Sequence, residues 1–211
     1  VERKASRLID DDDAVEIEEP ARFVSRGGEK LEGAFEKFPS LSAQDKICID
    51  VGSSTGGFTD CLLQHGAKTV MAVDVGTNQL AYRLRTDPKV WVRENFNARY
   101  MTGADLPHVP EVAVTDVSFI SLKLILPPIV EVLSPGGLIV ALIKPQFEVG
   151  KGGAPGGLVR DEKLRQEACE GILDFGRSAL SLELLGVAQS PVPGKEMGNI
   201  EYLSYWRKPG S

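Results

Sequence analysis

Short apolar stretches alternate with longer segments in which apolar residues recur every three or four positions. The first pattern predicts β-strands and the second predicts helices. Predicted strands cover residues 47–51, 69–74, 90–93, 111–116, 138–143, 182–189 and 200–206. Predicted helices cover residues 25–38, 56–65, 77–84, 121–132 and 160–179. Because most strands alternate with helices, we expect a mostly parallel sheet with helices on both faces.

The two ends of the chain depart from this alternation. No helix separates the last two predicted strands, and segment 191–194 between them contains Pro and Gly. This suits a hairpin that adds one antiparallel strand. Near the start, residues 14–18 are predicted to form a short strand with no partner nearby. We therefore expect a seven-stranded α/β sheet within residues 21–211 and treat residues 1–20 as a separate segment.

The strand at 47–51 leads into a turn of small residues and then into a helix. Such a turn lets a ligand approach the backbone, and amides at the start of the helix face that ligand. The turn lacks the lysine of a P-loop and the Gly-x-Gly of a dinucleotide site. The remaining pattern, Asp50-x-Gly52-x-x-x-Gly56, is typical of an S-adenosylmethionine loop. There the acid can meet the cationic amino-acid end of the ligand.

A second acid supports a cofactor site of this kind. Asp74 ends strand 69–74, roughly 20 residues beyond the turn, where α/β cofactor folds place the carboxylate that binds ribose hydroxyls. The alternative for Asp50 and Asp74 is a helix cap or a turn residue. Their positions on either side of the turn favour cofactor binding. The predicted cofactor-binding residues are Asp50, Gly52, Ser53, Ser54, Thr55, Gly56, Gly57, Phe58, Asp74, Asn95 and Asp116.

Composition argues against some classes of protein. The longest apolar run, near residues 138–143, is far shorter than the ~20 residues that cross a bilayer. Three cysteines without C-x-x-C spacing predict reduced thiols and a cytoplasmic protein. With two histidines and no ligand-spaced cluster, we expect no metal site.

The distribution of charge bears on a nucleic-acid partner. A net charge of −6 argues against one, but residues 1–21 alone hold eight acids and three bases. The remaining chain is nearly neutral and contains local basic groups, whose alternative interpretation is a solvated helix face. These groups are Arg22, Arg26 and Lys30; Arg83, Arg85, Lys89, Arg93 and Arg99; and Lys151, Arg160, Lys163 and Arg165.

Four charged residues stand at the ends of predicted elements. Asp116 ends one strand, Lys144 directly follows six apolar residues, and Lys30 lies at the start of the first helix. Glu201 lies near the start of the last strand, which places it at the same sheet edge if that strand is antiparallel. Because ligands bind at the carboxyl ends of the strands, we expect one common site. The alternative for each residue is a surface charge or a salt bridge.

The sequence around these residues resembles a known family. In chain order, the segments are SRGGEKL, DVGSSTGGFTD, TDVSFIS, IKPQFE, GLVRD and GNIEYL. Together they are similar to the TlyA/haemolysin-A branch of FtsJ-like RNA 2′-O-methyltransferases, over nearly the whole chain. The resemblance implies a Rossmann-like, S-adenosylmethionine-dependent methyltransferase fold for residues 21–211. It implies ribosomal RNA or ribosomal subunits as the partner, and it makes residues 1–20 the remnant of an N-terminal S4-type RNA-binding domain with its linker.

The resemblance also implies a catalytic tetrad of Lys30, Asp116, Lys144 and Glu201. A ribose hydroxyl is a weak nucleophile that must lose its proton, and a buried lysine between carboxylates can accept it. We expect Lys144 to act on the hydroxyl and the two acids to orient it. Lys30 would hold a phosphate or the far side of the tetrad. No metal is expected, because a sulfonium is already an activated leaving group.

Three other functions remain open from the sequence. A membrane-lytic protein finds no support in a spanning helix or a strongly basic amphipathic segment. A small-molecule methyltransferase would share the cofactor loop but would need neither the tetrad nor an RNA-binding domain. An RNA-binding scaffold would keep the fold without the reaction. Cofactor binding and methyl transfer to ribosomal RNA distinguish these functions.

Overall fold

The structure, a computed structural model, describes residues 21–150, 152–194 and 198–210. The expectations for residues 1–20, including the strand at 14–18 and the remnant of an S4-type domain, lie outside the described residues.

Seven strands form one sheet, as predicted. Their bounds are β1 Ile47–Val51, β2 Thr69–Val73, β3 Val90–Arg93, β4 Val112–Thr115, β5 Leu138–Ile143, β6 Glu183–Gln189 and β7 Tyr202–Arg207. The order across the sheet is β3-β2-β1-β4-β5-β7-β6. β7 runs antiparallel to both of its neighbours, and the other pairs are parallel. The prediction of a mostly parallel sheet with one antiparallel strand is confirmed.

Helices cover both faces of this sheet. Their bounds are α1 Gly27–Lys37, α2 Gly57–Gln64, α3 Tyr82–Arg85, α4 Leu122–Val132, α5 Pro145–Glu148 and α6 Glu162–Ala179. Alternate residues of β5 enter different cores: Ile139 packs with α4 and α6, whereas Val140 packs with α1 and α2. None of the described helices is long and apolar enough to cross a membrane.

The helix predicted over residues 77–84 is wrong in extent, since only α3 forms near its end. The backbone N–H groups of Asn78, Gln79 and Leu80 donate to the carboxylate of Glu94 at 2.9, 3.0 and 3.3 Å. Asn78 has a φ of +55°, which a right-handed helix excludes. A carboxylate that follows β3 therefore binds the amides of this loop.

Candidate active site

The fold brings together the four charged residues that the sequence singled out. Lys144 directly follows β5, and Glu201 directly precedes β7, whose start is paired with the end of β5. Asp116 follows the neighbouring strand β4, and Lys30 comes from the first turn of α1. Because β7 is antiparallel, a residue at its start reaches the edge where the parallel strands end.

Two ion pairs meet at Asp116. Lys144 Nζ lies 2.6 Å from Asp116 Oδ1 and donates to Ser118 Oγ at 2.9 Å. Lys30 Nζ lies 2.6 Å from Glu201 Oε2 and 3.9 Å from Asp116 Oδ2. Asp116 therefore contacts both lysines. Glu201 contacts Lys30 rather than Lys144, so Asp116 is the acid that pairs directly with Lys144.

Because these charges are buried, the stability of the protein depends on their pairing. Glu201 is 2% exposed, Lys30 7% and Lys144 8%. A buried charge without a partner is strongly destabilising, so each member depends on the others being present. The arrangement is a compact polar network at the end of an apolar sheet.

The network forms one wall of a cleft of about 730 Å³. The turn between β1 and α2 forms a second wall. Of the predicted cofactor-binding residues, those that line the cleft are Gly52, Ser53, Ser54, Thr55, Gly57, Phe58 and Asp116. Asp50, Gly56, Asp74 and Asn95 are not part of its lining.

Two glycines of the turn serve different purposes. Gly52 has a φ of +83°, and a Cβ there would lie 2.9 Å from Val117 Cγ1, so glycine keeps the turn close to the loop that carries Asp116. Gly56 has a φ of +97°, and a Cβ there would lie 2.3 Å from Leu84 Cδ1. Gly56 thus allows α3 to pack against the turn, and its contact with a cofactor remains a prediction.

Asp74 shapes the cleft from behind the turn. One of its carboxylate oxygens accepts from the Ser54 amide at 2.8 Å, and the other accepts from the Gly76 amide at 2.6 Å. The Asn95 amide in turn donates to the Gly76 carbonyl at 2.9 Å. Asp74 and Asn95 therefore lie in one connected region beside the cleft, and their contact with a cofactor remains a prediction.

Asp50 is fully buried under the turn. Thr59 Oγ1 donates to its Oδ2 at 2.7 Å, while Oδ1 has no partner among the described residues. Burial raises the pKa of this carboxyl to about 7. Its predicted contact with a cationic ligand group would have to use the unpartnered oxygen.

We expect the replacement Asp50→Asn to stabilise the protein more at pH 8 than at pH 5. The folded state holds the proton of Asp50 up to about pH 7, whereas the unfolded state loses it near 3.8, the ordinary pKa of an aspartate. Stability that depends on this proton is present below pH 4 and is lost as the pH rises through 7. The gain should be on the order of 3 kcal/mol larger at pH 8, measured by denaturant unfolding. Equal gains at both pH values would contradict the buried acid as the cause.

The sequence interpretation missed several residues of the cleft. Ser118 holds Lys144, and the Gln146 side-chain amide donates to Glu201 Oε1 at 3.4 Å. Phe119 is 83% exposed at a φ of +64°, with its ring 5.1 Å from that of Phe147. All four line the cleft. They occur in the same short segments as Asp116 and Lys144, and that proximity was the available signal.

Comparison with known proteins identifies the family. Residues 23–208 match the FtsJ-like methyltransferase family. The 16S/23S rRNA (cytidine-2'-O)-methyltransferase TlyA of Mycobacterium tuberculosis is 46% identical over 188 residues, which are 88% of this chain and 68% of that protein. A solved structure from Lactococcus lactis that carries a hemolysin name is 48% identical, with a TM-score of 0.87 and 91% of each chain covered. The N-methyltransferase NodS of Bradyrhizobium japonicum shares the fold at 14% identity, with a TM-score of 0.56 and coverage of 87% and 94%. The chain therefore belongs to the FtsJ-like methyltransferase family.

Proposed function

We propose that this chain transfers a methyl group from S-adenosylmethionine to a ribose 2′-hydroxyl of ribosomal RNA. The observation that carries the proposal is the Lys144–Asp116 pair, which lines the same cleft as the small-residue turn. Family membership supports methyl transfer. The name of the TlyA relative specifies ribosomal RNA and the 2′-oxygen for that protein, and it supports the same substrate here.

The cleft suits S-adenosylmethionine in size and lining. Its volume of about 730 Å³ falls within the range of small-molecule sites. Gly52 and Gly57 line it with backbone, and Ser53 to Thr55 add hydroxyl groups. When bound, the cofactor supplies a methyl group on a sulfonium, which needs no further activation. The chain's own residues have to position the RNA and accept a proton.

In this proposal Lys144 accepts that proton. A neutral lysine amine has two N–H donors and one lone pair. Asp116 Oδ1 is its ion-pair partner at 2.6 Å, and Ser118 Oγ accepts one N–H donor at 2.9 Å. The lone pair remains for the ribose hydroxyl, whose proton moves to Nζ as its oxygen becomes methylated. The ammonium that results is stabilised by the Asp116 carboxylate.

Lys30 and Glu201 hold the far side of the network. Lys30 is tied to Glu201 and is nearly buried, so its charge is largely used within the protein. Arg26 is better suited to contact a phosphate, since it lines the cleft. Its guanidinium also donates to the Pro193 carbonyl at 2.9 Å. The exposed ring of Phe119 offers a surface on which an unpaired base can stack.

Transfer of a labelled methyl group to ribosomal subunits tests this proposal. The label should appear in ribosomal RNA and on ribose, so the modified linkage should resist alkaline hydrolysis. Label on a base, or cofactor turnover that needs only a small molecule, would contradict it. Lysis of membranes that persists in Lys144→Ala would favour the activity suggested by the hemolysin name of the Lactococcus relative.

We expect Asp74→Ala to weaken S-adenosylmethionine binding by about 1–3 kcal/mol, through lost hydrogen bonds to ribose hydroxyls. The turn would also lose the carboxylate that fixes the Ser54 and Gly76 amides. Isothermal calorimetry on the variant measures the loss. Asp87→Ala, a half-buried acid that accepts from the Lys89 amide, is the matched control and should bind as the wild type does. Unchanged affinity in Asp74→Ala would remove Asp74 from the cofactor site.

The division at residue 20 also remains a proposal, with residues 21–211 as the methyltransferase domain. A protein that carries a whole S4-type domain before this chain should bind ribosomal RNA more tightly and with a steeper dependence on salt. The reason is that residues 22–211 are nearly neutral and attract phosphates weakly at long range. A salt titration of RNA binding for both proteins gives the answer. Equal affinities with equal salt slopes would place recognition in the methyltransferase domain.

A further inference from the structure

A second cluster of functional side chains lies outside the cleft. Glu32 of α1, Cys61 of α2 and His65, which directly follows α2, bring their ligand atoms within 4.8 Å of one another. None of the three lines the cleft. The expectation of no ligand-spaced cluster is wrong in this respect. Cys61 and His65 are one helical turn apart, and the third side chain comes from a different helix.

We propose that Glu32, Cys61 and His65 form a zinc site with three protein ligands and an open fourth position for water. Zinc binds a thiolate, an imidazole and a carboxylate together, and tetrahedral coordination is its usual geometry. Cys61 and His65 occupy one face of α2 at i and i+4, a spacing that lets two side chains bind one ion.

Two of the distances between the ligand atoms suit zinc with a small adjustment, and all three atoms lie within 4.8 Å of one another. Tetrahedral zinc with sulfur, nitrogen and oxygen ligands places those atoms about 3.3–3.8 Å apart. Cys61 Sγ lies 3.7 Å from Glu32 Oε2, which already fits. His65 Nε2 lies 2.7 Å from the same oxygen, a hydrogen-bond distance. Metal binding would replace that hydrogen bond, open the pair by about 0.7 Å and release the thiol proton.

Neighbouring side chains fix the ligands in place. Phe35 stacks on the His65 ring with centroids 3.7 Å apart and planes 7° apart, which sets the direction of Nε2. Arg22 lies 2.9 Å from Glu32 Oε1, so Oε2 is the oxygen directed at the cluster. The His65 side chain is 28% exposed, which provides a path for the ion and space for a water. Such partners of metal ligands commonly tune affinity.

Zinc bound here would fasten α1 to α2. The first of these helices carries Lys30, and the second begins at the turn that lines the cleft. The ion would thus stabilise the relative position of the two walls without touching a substrate. We expect it to raise the melting temperature of the protein.

Metal titration of the full chain tests the proposal. Calorimetry with Zn²⁺ should show one ion bound per chain, and Co²⁺ should give the charge-transfer absorption of a metal–thiolate bond. Cys61→Ser should remove that absorption, and His65→Gln or Glu32→Gln should weaken affinity about tenfold or more. The controls are Cys169→Ser and His108→Gln, which change a cysteine and a histidine outside the cluster. Both should bind Zn²⁺ as the wild type does.

Arg22→Ala provides a test that a purely structural cluster would not pass. Arg22 holds Glu32 Oε1 and so directs Oε2 at the ion, and its removal should weaken Zn²⁺ binding. Loss of an exposed ion pair corresponds to about two- to fivefold in affinity. Unchanged or tighter binding in Arg22→Ala would overturn the proposed role of Glu32. No binding at micromolar Zn²⁺, or full binding in both Cys61→Ser and His65→Gln, would overturn the site. The surface variant His65→Gln keeps the test valid if Cys61→Ser folds poorly.

Discussion

Lys144→Ala is expected to lower the rate of methyl transfer by about 10²–10⁴-fold, the contribution of a positioned general base. The fold should survive, because the Asp116 side chain is 20% exposed and water can solvate its carboxylate once Lys144 is removed. Cofactor affinity should change little, since the turn between β1 and α2 does not depend on Lys144. Single-turnover transfer to ribosomal subunits measures the rate, and calorimetry measures the affinity. Lys123→Ala, an exposed lysine on α4, is the control and should remain active.

Lys144→Arg separates two possible roles of this lysine. A guanidinium keeps its proton near neutral pH, so it can pair with Asp116 but cannot accept the proton of a ribose hydroxyl. We therefore expect the Arg variant to be inactive as well. An active Arg variant would show that the position supplies positive charge, and it would remove the general base from the mechanism.

Glu201→Gln is expected to lower the free energy of unfolding by about 3–5 kcal/mol, because it leaves the buried ammonium of Lys30 without its near partner. The nearest remaining carboxylate is Asp116, at 3.9 Å. The double variant Lys30→Met/Glu201→Gln removes both charges and should recover most of that loss. Denaturant unfolding of both single variants and the double variant gives the coupling energy.

A surface ion pair of similar length serves as the comparison. Lys46 Nζ lies 2.8 Å from Glu111 Oε1, but the two side chains are 45% and 36% exposed. Lys46→Met should therefore cost far less stability than Glu201→Gln. If Glu201→Gln costs no more than Lys46→Met, the buried pair does not behave as a desolvated network, and the structural role given to Lys30 fails.

Strand positions could be predicted because burial on both faces of a sheet produces short, continuous apolar runs. The runs that became β4 and β5 end at the sheet edge, so Asp116 and Lys144, which directly follow them, were placed correctly. Glu201 required one more inference, the antiparallel direction of β7, and the turn-rich segment before that strand supplied it.

What the sequence did not reveal depends on contacts between distant segments. Glu94 binds the amides of residues 78–80, and no local pattern in that loop predicts its carboxylate partner. Glu32 meets Cys61 and His65 only through the packing of two helices. Glu201 was expected to orient Lys144 but pairs with Lys30. The ends of strands and helices predict a common sheet edge, but they do not predict which charges pair along it.

The pairing of Lys30 with Glu201 sets the order in which the network is completed during synthesis. The two residues are 171 positions apart. The strands β4 and β5, which precede Asp116 and Lys144, are made before Glu201. A growing chain can thus form the turn and the first lysine pair while Lys30 still lacks its near carboxylate. Closing so long a loop is slow compared with local folding. A chain that is cut or terminated before β7 would retain the turn between β1 and α2 and yet have no finished catalytic network.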